Sequence, residues 1–264
     1  MDLHIHTDRS DGRYTPDEVL DRCAKAGLNY ISITDHDLAP SWPHGRVERD
    51  GRVVEVIHGV EMTGCHGDEE LHLLVYFPAG MPEEFARVCR ERVIWRAERY
   101  ARAQHQLNLE GVPPVTEEAM AGERALTRLH LARAIHAAGH CTTIQGAFDR
   151  FLFPASKLFP LVELPIVEII DMAKACGGVT SWAHPSNEQA RVHLASLADA
   201  GLDGVELYRP RRTKAQRKEL RSMLAAHGLF ATGGSDWHGW RRESLGSFSM
   251  SGDLAGGFVE ALAS

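Results

Sequence analysis

Short apolar runs alternate with amphipathic segments over most of the chain, and polar residues follow each run directly. The runs are rich in β-branched residues and short enough for strands, whereas the segments between them show helical spacing. Strands are predicted around His4 and at residues 30–34, 53–60, 71–77, 179–183, 204–207 and 229–232. Helices are predicted at residues 16–26, 166–176, 189–200 and 213–227. This alternation indicates parallel βαβ units, as in an α/β barrel with functional residues at the strand ends.

The pattern changes between residues 82 and 160, where no strand-like run occurs. Helical spacing there predicts helices at residues 83–111, 127–139 and 145–153. Prolines interrupt residues 153–160, which are predicted to form a loop. We therefore expect a barrel domain built from residues 1–81 and 161–264. Residues 82–160 are expected to form a helical insertion subdomain that covers the active site.

Composition and charge argue against several classes of protein. With 264 residues, 44% of them apolar and 25% charged, the chain is typical of a globular protein with a sizeable core. A net charge of −7 disfavours broad binding to nucleic acid or membrane surfaces, although local basic stretches could hold a phosphate group. Five cysteines without a Cys-x-x-Cys pair disfavour disulfides and thiolate zinc sites. The absence of a secretion signal or membrane span predicts a cytoplasmic location.

Potential metal ligands stand at or beside almost every predicted strand. His4 and His6 are two residues apart in a strand, so both imidazoles point to one side. Taken alone, this pair fits half-buried structural histidines better than ligands. The full set of donors is His4, His6, Asp11, His36, Glu61, His72, His184, Asp236 and His238. Burying so many polar groups together is costly without a metal, and a set without thiolates favours Zn, Mn or Fe sites with open positions.

Several of these residues stand in motifs that resemble those of the PHP (polymerase and histidinol phosphatase) superfamily. The motifs are Asp-Leu-His-Ile-His-Thr at residues 2–7, Ser-Asp-Gly at 10–12, Thr-Asp-His-Asp at 34–37, Gly-Val-Glu at 59–61, Ala-His-Pro at 183–185 and Gly-Ser-Asp-Trp-His at 234–238. The resemblance implies a distorted (β/α)7 barrel of the PHP type that holds three divalent metal ions, Mn, Fe or Zn.

The same resemblance implies how the ligands divide among three ions. The first ion would be held by His4, His6, Glu61 and Asp236, the second by Glu61, His72 and His184, and the third by Asp11, His36 and His238. Some family members have His where this chain has Asp11, so the third site here has an oxygen ligand and is harder in the sense of hard and soft metal ligands. The implied catalytic residues are Asp11, His36, Glu61, His184, Asp236 and His238.

The activity implied is that of a metal-dependent phosphoesterase. Three divalent ions against three ligand carboxylates would leave a charge of roughly +3, which attracts a phosphate ester and stabilises hydroxide. A hydroxide bridging two ions is expected to attack phosphorus in line, while the ions stabilise the growing charge. The group that protonates the leaving oxygen stays open between a metal-bound water and a nearby His or Asp.

The insertion is similar to that of family members that act on nucleoside 3′,5′-bisphosphates, on the 5′ ends of short RNA or on cyclic sugar phosphates. This similarity rests on Leu-Thr-Arg-Leu-His-Leu-Ala-Arg at residues 126–133. The candidate contacts to a second substrate phosphate are Arg128, His130, Arg133 and Lys157. Lys157 is favoured because it lies in the loop that returns to the barrel; the others could equally be solvated charges or, for His130, a core residue. For Arg92, Arg96 and Arg99, a solvent-exposed helix face is the favoured interpretation.

The best hypothesis is hydrolysis of a nucleoside 3′,5′-bisphosphate or a short oligoribonucleotide. The expected partner is therefore a small nucleotide-like phosphorylated molecule with its phosphate product, or short RNA, rather than a membrane or a stable nucleic-acid complex. Alternative enzymes are a cyclic phosphate phosphodiesterase, a histidinol-phosphate phosphatase and a carbon–nitrogen hydrolase on a similar barrel. The alternative of another class is a non-catalytic, metal-stabilised accessory module.

Overall fold

A computed structural model describes residues 1–114, 121–153, 157–240 and 245–263. The strands in these ranges are β1 (Asp2–Ile5), β2 (Tyr30–Ile33), β3 (Gly45–Arg49), β4 (Arg52–Val56), β5 (His58–His66), β6 (Glu69–Phe77), β7 (Val179–Trp182), β8 (Gly204–Tyr208) and β9 (Phe230–Gly233). The α-helices are α1 (Pro16–Lys25), α2 (Glu83–Leu107), α3 (Arg128–Ala137), α4 (Ile144–Arg150), α5 (Ile166–Ala175), α6 (Asn187–Asp199), α7 (Lys214–Ala226) and α8 (Gly256–Ala263).

The strands form two sheets, with the orders β1-β2-β4-β3 and β5-β6-β7-β8-β9. Two short junctions join these sheets. At the first, the amide of Asp236 donates to the carbonyl of His4 at 2.9 Å, beside a parallel bridge between Ile5 and Trp237. At the second, His36 forms a parallel bridge with Glu61. The strands β1, β2 and β5 to β9 therefore follow one another around a distorted seven-stranded barrel, as predicted, although no continuous ladder among the described residues closes it.

The prediction of uniformly parallel βαβ units was wrong for the middle of the barrel. The strands β5 and β6 are antiparallel, and so are β6 and β7. Only Gly67 and Asp68 separate β5 from β6, and so short a connection permits a hairpin but not a crossover. Glu61 and His72 therefore lie within long strands rather than at strand ends.

A second hairpin was missed by the sequence analysis. The strands β3 and β4 pair antiparallel around Asp50 and Gly51, which both have a positive φ, as two-residue hairpin turns require. Strand β3 alternates exposed and buried residues and buries only Val47 fully, so it lacks a recognisable apolar run. The single strand predicted at residues 53–60 is divided at Ile57 between β4 and β5.

The predicted helices are present with small shifts at their ends. Helix α1 begins with the expected capping box, in which Thr15 accepts from the amide of Glu18 and Glu18 accepts from the amide of Thr15. The helices α2 to α4 of the insertion pack around a small apolar cluster that includes Leu131 and Ile135. The division into a barrel and a subdomain stays a prediction, and residues 154–156 of the predicted loop lie outside the described residues. None of the described helices is both long and apolar enough to cross a membrane.

Candidate metal centre

Four donor atoms surround a point at the end of β1. The alternation of β1 directs His4 and His6 to the barrel interior, where both are fully buried and their Nε2 atoms lie 3.1 Å apart. Glu61 Oε2 lies 3.4 Å and 3.3 Å from these two nitrogens, and Asp236 Oδ1 lies 3.5 Å and 3.3 Å from them. Ligands at about 2.0–2.1 Å from a tetrahedral ion are separated by about 3.3–3.4 Å. The spacing of these donors therefore suits one shared ion.

The other carboxylate oxygen of Glu61 faces a second group of donors. Glu61 Oε1 is 2.9 Å from His72 Nδ1 and 2.9 Å from His184 Nε2. These two nitrogens are 3.3 Å apart. One carboxylate in the middle of β5 thus presents one oxygen to each of two donor groups, which is the arrangement of a bridging ligand.

A third group forms around the carboxylate of Asp11. Asp11 Oδ1 lies 3.1 Å from His238 Nε2, and Asp11 Oδ2 lies 3.7 Å from His36 Nε2. The opposite ring nitrogen of His36, Nδ1, lies 3.0 Å from Glu61 Oε2. His36 therefore stands between the third group and Glu61, whereas the resemblance assigned it to the third ion alone. Sets whose donor atoms all lie within 4.8 Å of one another include His6, Asp11, His36 and His238; His4, His6 and Glu61; and His36, Glu61 and His72.

Buried atoms without hydrogen bonds test whether these residues fit divalent ions. Glu61 Oε2 and His36 Nδ1 are both buried and make no hydrogen bond, although Glu61 Oε2 has three imidazole nitrogens within 3.4 Å. Such atoms carry a substantial desolvation cost unless another charge pairs with them. Ions shared among the nitrogens and carboxylates would provide that charge, so the donor set fits divalent metal binding.

The electrostatics of the group favour ionised carboxylates. Burial alone would raise the pKa of Glu61, but the imidazoles of His36, His4 and His72 hold this pKa well below its usual range. Burial opposes a charged His238, yet contact with Asp11 raises the pKa of His238 to about 9. Burial, together with the neighbouring His238, lowers the pKa of His6 to about 3. The carboxylates are thus held in the ionised form in which they bind cations, and a bound cation would replace the protons of the imidazoles.

Glu206 is a site residue that the sequence analysis missed. It is fully buried in β8; its Oε1 lies 3.1 Å from His4 Nδ1, and its Oε2 accepts from the amide of His184 at 2.8 Å. A carboxylate that holds the far nitrogen of an imidazole fixes the ring's orientation and tautomer. The sequence feature that could have identified Glu206 is its position as the single carboxylate inside the apolar run at residues 204–207.

Glu206→Gln is expected to weaken metal binding by about 10- to 100-fold, because the amide cannot match the carboxylate as a partner of His4. Isothermal titration of the metal-depleted protein with Mn²⁺ or Zn²⁺ would measure the change. Glu188→Gln, an exposed change at the start of α6, is the matched control. Equal affinities for the wild type and Glu206→Gln would show that Glu206 does not support the centre.

Asp35 and Asp37, which lie beside His36, form hydrogen bonds with neighbouring backbone and side chains, and Asp35 Oδ1 also lies 4.0 Å from Nδ1 of His6. Asp35 accepts from the amide of Thr7 at 2.8 Å and from the hydroxyl of Ser10. Asp37 accepts from the amide of Thr63 at 2.7 Å and from Arg96 Nε at 2.6 Å. These carboxylates therefore fix the loop after β1 and the start of the insertion around the centre.

A cavity of about 210 Å³ opens beside the donors, between the barrel and the insertion. Its wall contains the donors Asp11, His36 and His72, the charged residues Glu70, Arg96, Arg99 and Arg128, the aromatic residues Phe148 and Phe159, and Leu126, Thr127 and Leu129. The expectation that Arg96 and Arg99 lie on a solvent-exposed face was wrong, since each is only 8% exposed. Arg96 binds Asp37 and Thr63, and Arg99 binds Glu70 Oε2 at 2.9 Å.

The four predicted substrate contacts occupy different environments. Arg128 is exposed and lines the cavity. The ring of His130 caps α3 by accepting from the amide of Thr127 at 3.0 Å, and burial lowers its pKa to about 4. Arg133 packs its guanidinium 3.2 Å from the ring centre of Trp240. Lys157 is exposed and is not among the described residues that line the cavity, so its proposed contact stays a prediction.

The chain is similar over most of its length to proteins with named activities. A model of the PHP domain family matches residues 2–155. The 5′-3′ exoribonuclease Rnm of Salmonella typhimurium is 30% identical over 257 residues, covering 90% of this chain and 84% of the relative. A 3′,5′-nucleoside bisphosphate phosphatase of Chromobacterium violaceum is 24% identical, covering 90% and 87%. A crystal structure from Bifidobacterium adolescentis, classed as a metal-dependent phosphoesterase, aligns over 99% of this chain and 95% of that one, with 28% identity and a TM-score of 0.79.

Proposed function

Because the chain belongs to the PHP domain family, we propose that it is a metal-dependent phosphoesterase that cleaves the 3′-phosphoester of a 5′-phosphorylated nucleotide. A nucleoside 3′,5′-bisphosphate and the 5′ end of a phosphorylated oligoribonucleotide both present this group. The observation that supports the proposal is the cavity, in which Arg99 and Arg128 share a wall with Asp11, His36 and His72. One substrate can therefore contact the guanidinium groups and the metal donors at once.

The proposal assigns the donors to three divalent ions, Mn, Fe or Zn. The assigned ligands are His4, His6, Asp11, His36, Glu61, His72, His184, Asp236 and His238, and the six named above as implied catalytic residues are among them. When bound, such ions act as Lewis acids that polarise phosphoryl oxygens and lower the pKa of water. Glu61 would hold two of the ions at a fixed separation, because its two oxygens face different donor groups.

The insertion residues would hold the phosphate that does not react. Asp37 neutralises Arg96, and Glu70 faces Arg99, whereas Arg128 lines the same wall with an exposed side chain. Arg128 is therefore the cation most accessible to an incoming phosphate, with Arg99 beside it. His130 is neutral at pH 7 because its pKa is lowered to about 4, so it would contribute little attraction. Binding of a remote phosphate lowers the barrier by positioning the reacting phosphate.

The test compares adenosine 3′,5′-bisphosphate with 3′-AMP, which lacks the second phosphate. We expect a higher kcat/KM for the bisphosphate. Arg128→Ala should lower kcat/KM for the bisphosphate by about 10- to 100-fold, the loss of one charge-assisted hydrogen bond, and change that for 3′-AMP far less. Arg102→Ala, an exposed change on α2, is the control.

Equal kcat/KM values of the wild type for the two substrates would refute the second-phosphate site. Screening cyclic sugar phosphates and histidinol phosphate would then separate the alternative phosphoesterases. A protein that holds its metal ions but releases phosphate from none of these compounds would instead match a non-catalytic accessory module.

A further inference from the structure

A cluster of aromatic and cationic side chains flanks the metal centre outside the cavity. We name it the Trp240 platform, and it consists of Arg13, Tyr14, Arg133, Trp237 and Trp240. Trp240 is 44% exposed, an unusual state for the largest side chain, and it is not among the described residues that line the cavity. An exposed indole offers a flat apolar surface on which an aromatic part of a substrate can stack.

The platform is held rigidly against a proposed metal ligand. The indole Nε1 of Trp240 donates to the carbonyl of Asp11 at 2.7 Å. The amide of Arg13 donates to the carbonyl of His238 at 2.9 Å, which joins the same two segments a second time. Beside them, the rings of Tyr14 and Trp237 stack at 5.6 Å with an angle of 6° between their planes. The indole is therefore held directly against the backbone of Asp11, and it lies two positions after His238 in the chain.

Two guanidinium groups surround the indole. Arg133 lies 3.2 Å from its ring centre, and Arg13 lies 5.9 Å from it. Within the described ranges, neither forms an ion pair with a carboxylate, unlike Arg96 and Arg99 in the cavity. Arg133 covers one face of the indole, so a base would have to stack on the other face. Cations beside an exposed aromatic side chain are a combination that binds single-stranded nucleic acid, since the cations attract phosphates and the ring stacks on a base.

We propose that the Trp240 platform binds the nucleotide that follows the cleaved bond in a single-stranded oligonucleotide, with its base stacked on the indole. The inference rests on the proposed function, in which the 5′-terminal nucleotide fills the cavity and its 3′-phosphoester lies at the metal centre. The remainder of the strand must then extend from the metal centre beyond the cavity, past Asp11 in the cavity wall, which the Trp240 indole contacts. A local site of this size is compatible with the net charge of −7, because it involves few phosphates.

The experiment measures kcat/KM for a short 5′-phosphorylated oligoadenylate and for adenosine 3′,5′-bisphosphate, and compares their ratio between variants. A ratio is needed because a change at Trp240 could disturb Asp11, which would slow both reactions alike. Trp240→Leu should lower the ratio by about 10-fold or more, the typical loss of one base stack, with the change mainly in KM for the oligoadenylate. Trp240→Phe, which keeps an aromatic face, should retain most of the ratio. Tyr30→Ala removes an aromatic side chain that is 47% exposed at the start of β2, and it should leave the ratio unchanged.

A modified substrate identifies the stacked base directly. Replacing the second nucleotide of the oligoadenylate by an abasic one should lower the ratio of kcat/KM values about as much as Trp240→Leu does. Combining the abasic substrate with the Trp240→Leu variant should then cause no further decrease in this ratio. Independent, additive losses would overturn the proposal, as would an unchanged ratio in Trp240→Leu. Hydrolysis of the bisphosphate but not of the oligoadenylate by the wild type would overturn this inference and leave the proposed function standing. If the metal-loaded protein hydrolyses neither substrate, both the inference and the proposed function are refuted.

Discussion

Glu61→Gln is expected to lower kcat/KM by at least about 10³-fold and to reduce the bound metal. The glutamine side chain keeps the size and one carbonyl oxygen of Glu61 but removes the negative charge that faces two donor groups. Electrostatic stabilisation by a metal ion contributes several kcal/mol, and each 1.36 kcal/mol corresponds to about tenfold in rate. Hydrolysis of adenosine 3′,5′-bisphosphate and elemental analysis of the same preparation would measure the two effects.

The matched control is Glu48→Gln, the same chemical change at an exposed position of β3. It should retain the activity and metal content of the wild type. Circular dichroism should show that Glu61→Gln is folded, because glutamine preserves the shape of the buried side chain. A folded Glu61→Gln protein with full metal content and near wild-type kcat/KM would contradict the bridging role of Glu61.

Removal of metal by a chelator is expected to abolish activity and to lower the melting temperature. An ion that binds only the folded state at a concentration about 100 times its Kd stabilises that state by about 2.7 kcal/mol. For a protein of this size that corresponds to a shift on the order of 5–10 °C per ion. Elemental analysis after reconstitution should give close to three ions per chain, and differential scanning calorimetry with and without metal would measure the shift. Unchanged activity after dialysis against a chelator would contradict metal dependence.

Metal binding should also release protons near pH 7, so that metal affinity depends on pH. Contact with Asp11 raises the pKa of His238 to about 9, so the metal-free protein carries a proton there at neutral pH. A ligand imidazole must lose this proton before it binds an ion, so affinity should rise with pH up to about 9 and fall on acidification. Titration calorimetry in buffers of different ionisation enthalpy would count the protons. Binding without proton release at pH 7 would show that His238 is not a ligand.

Two pairs of candidate donors could be found in the sequence because their spacing is local, whereas the full set was taken from several predicted strands and from the family resemblance. His4 and His6 share one side of a strand through the two-residue alternation alone, and Asp236 and His238 repeat this spacing after β9. The barrel class followed from the same alternation of short apolar runs with helices. Local patterning therefore accounts for the strands that carry most of the centre.

The partners that support the donors could not be found this way, because they are remote in sequence. Glu206 is 202 positions from His4, and Asp37 is 59 positions from Arg96. Whether a charged residue is buried depends on such a partner and not on its own neighbours, so Arg96 and Arg99 resembled an ordinary solvated helix face. The hairpin of β3 and β4 was missed for a different reason, since β3 is largely polar, and β4 and β5 were predicted as one strand because no polar break separates them at Ile57.

The junction between β1 and the segment after β9 has a consequence for how the protein is made. The pair formed by His4 and Asp236 unites residues that are 232 positions apart in the chain, so they are synthesised at different times. At typical elongation rates, the interval between their synthesis is on the order of 10–50 s. Throughout that interval the nascent chain exposes His4, His6 and Asp11 without Asp236 and His238, so it lacks part of each donor group built on those residues. The donor groups that include Asp236 or His238 can therefore be completed only after these two residues have been synthesised.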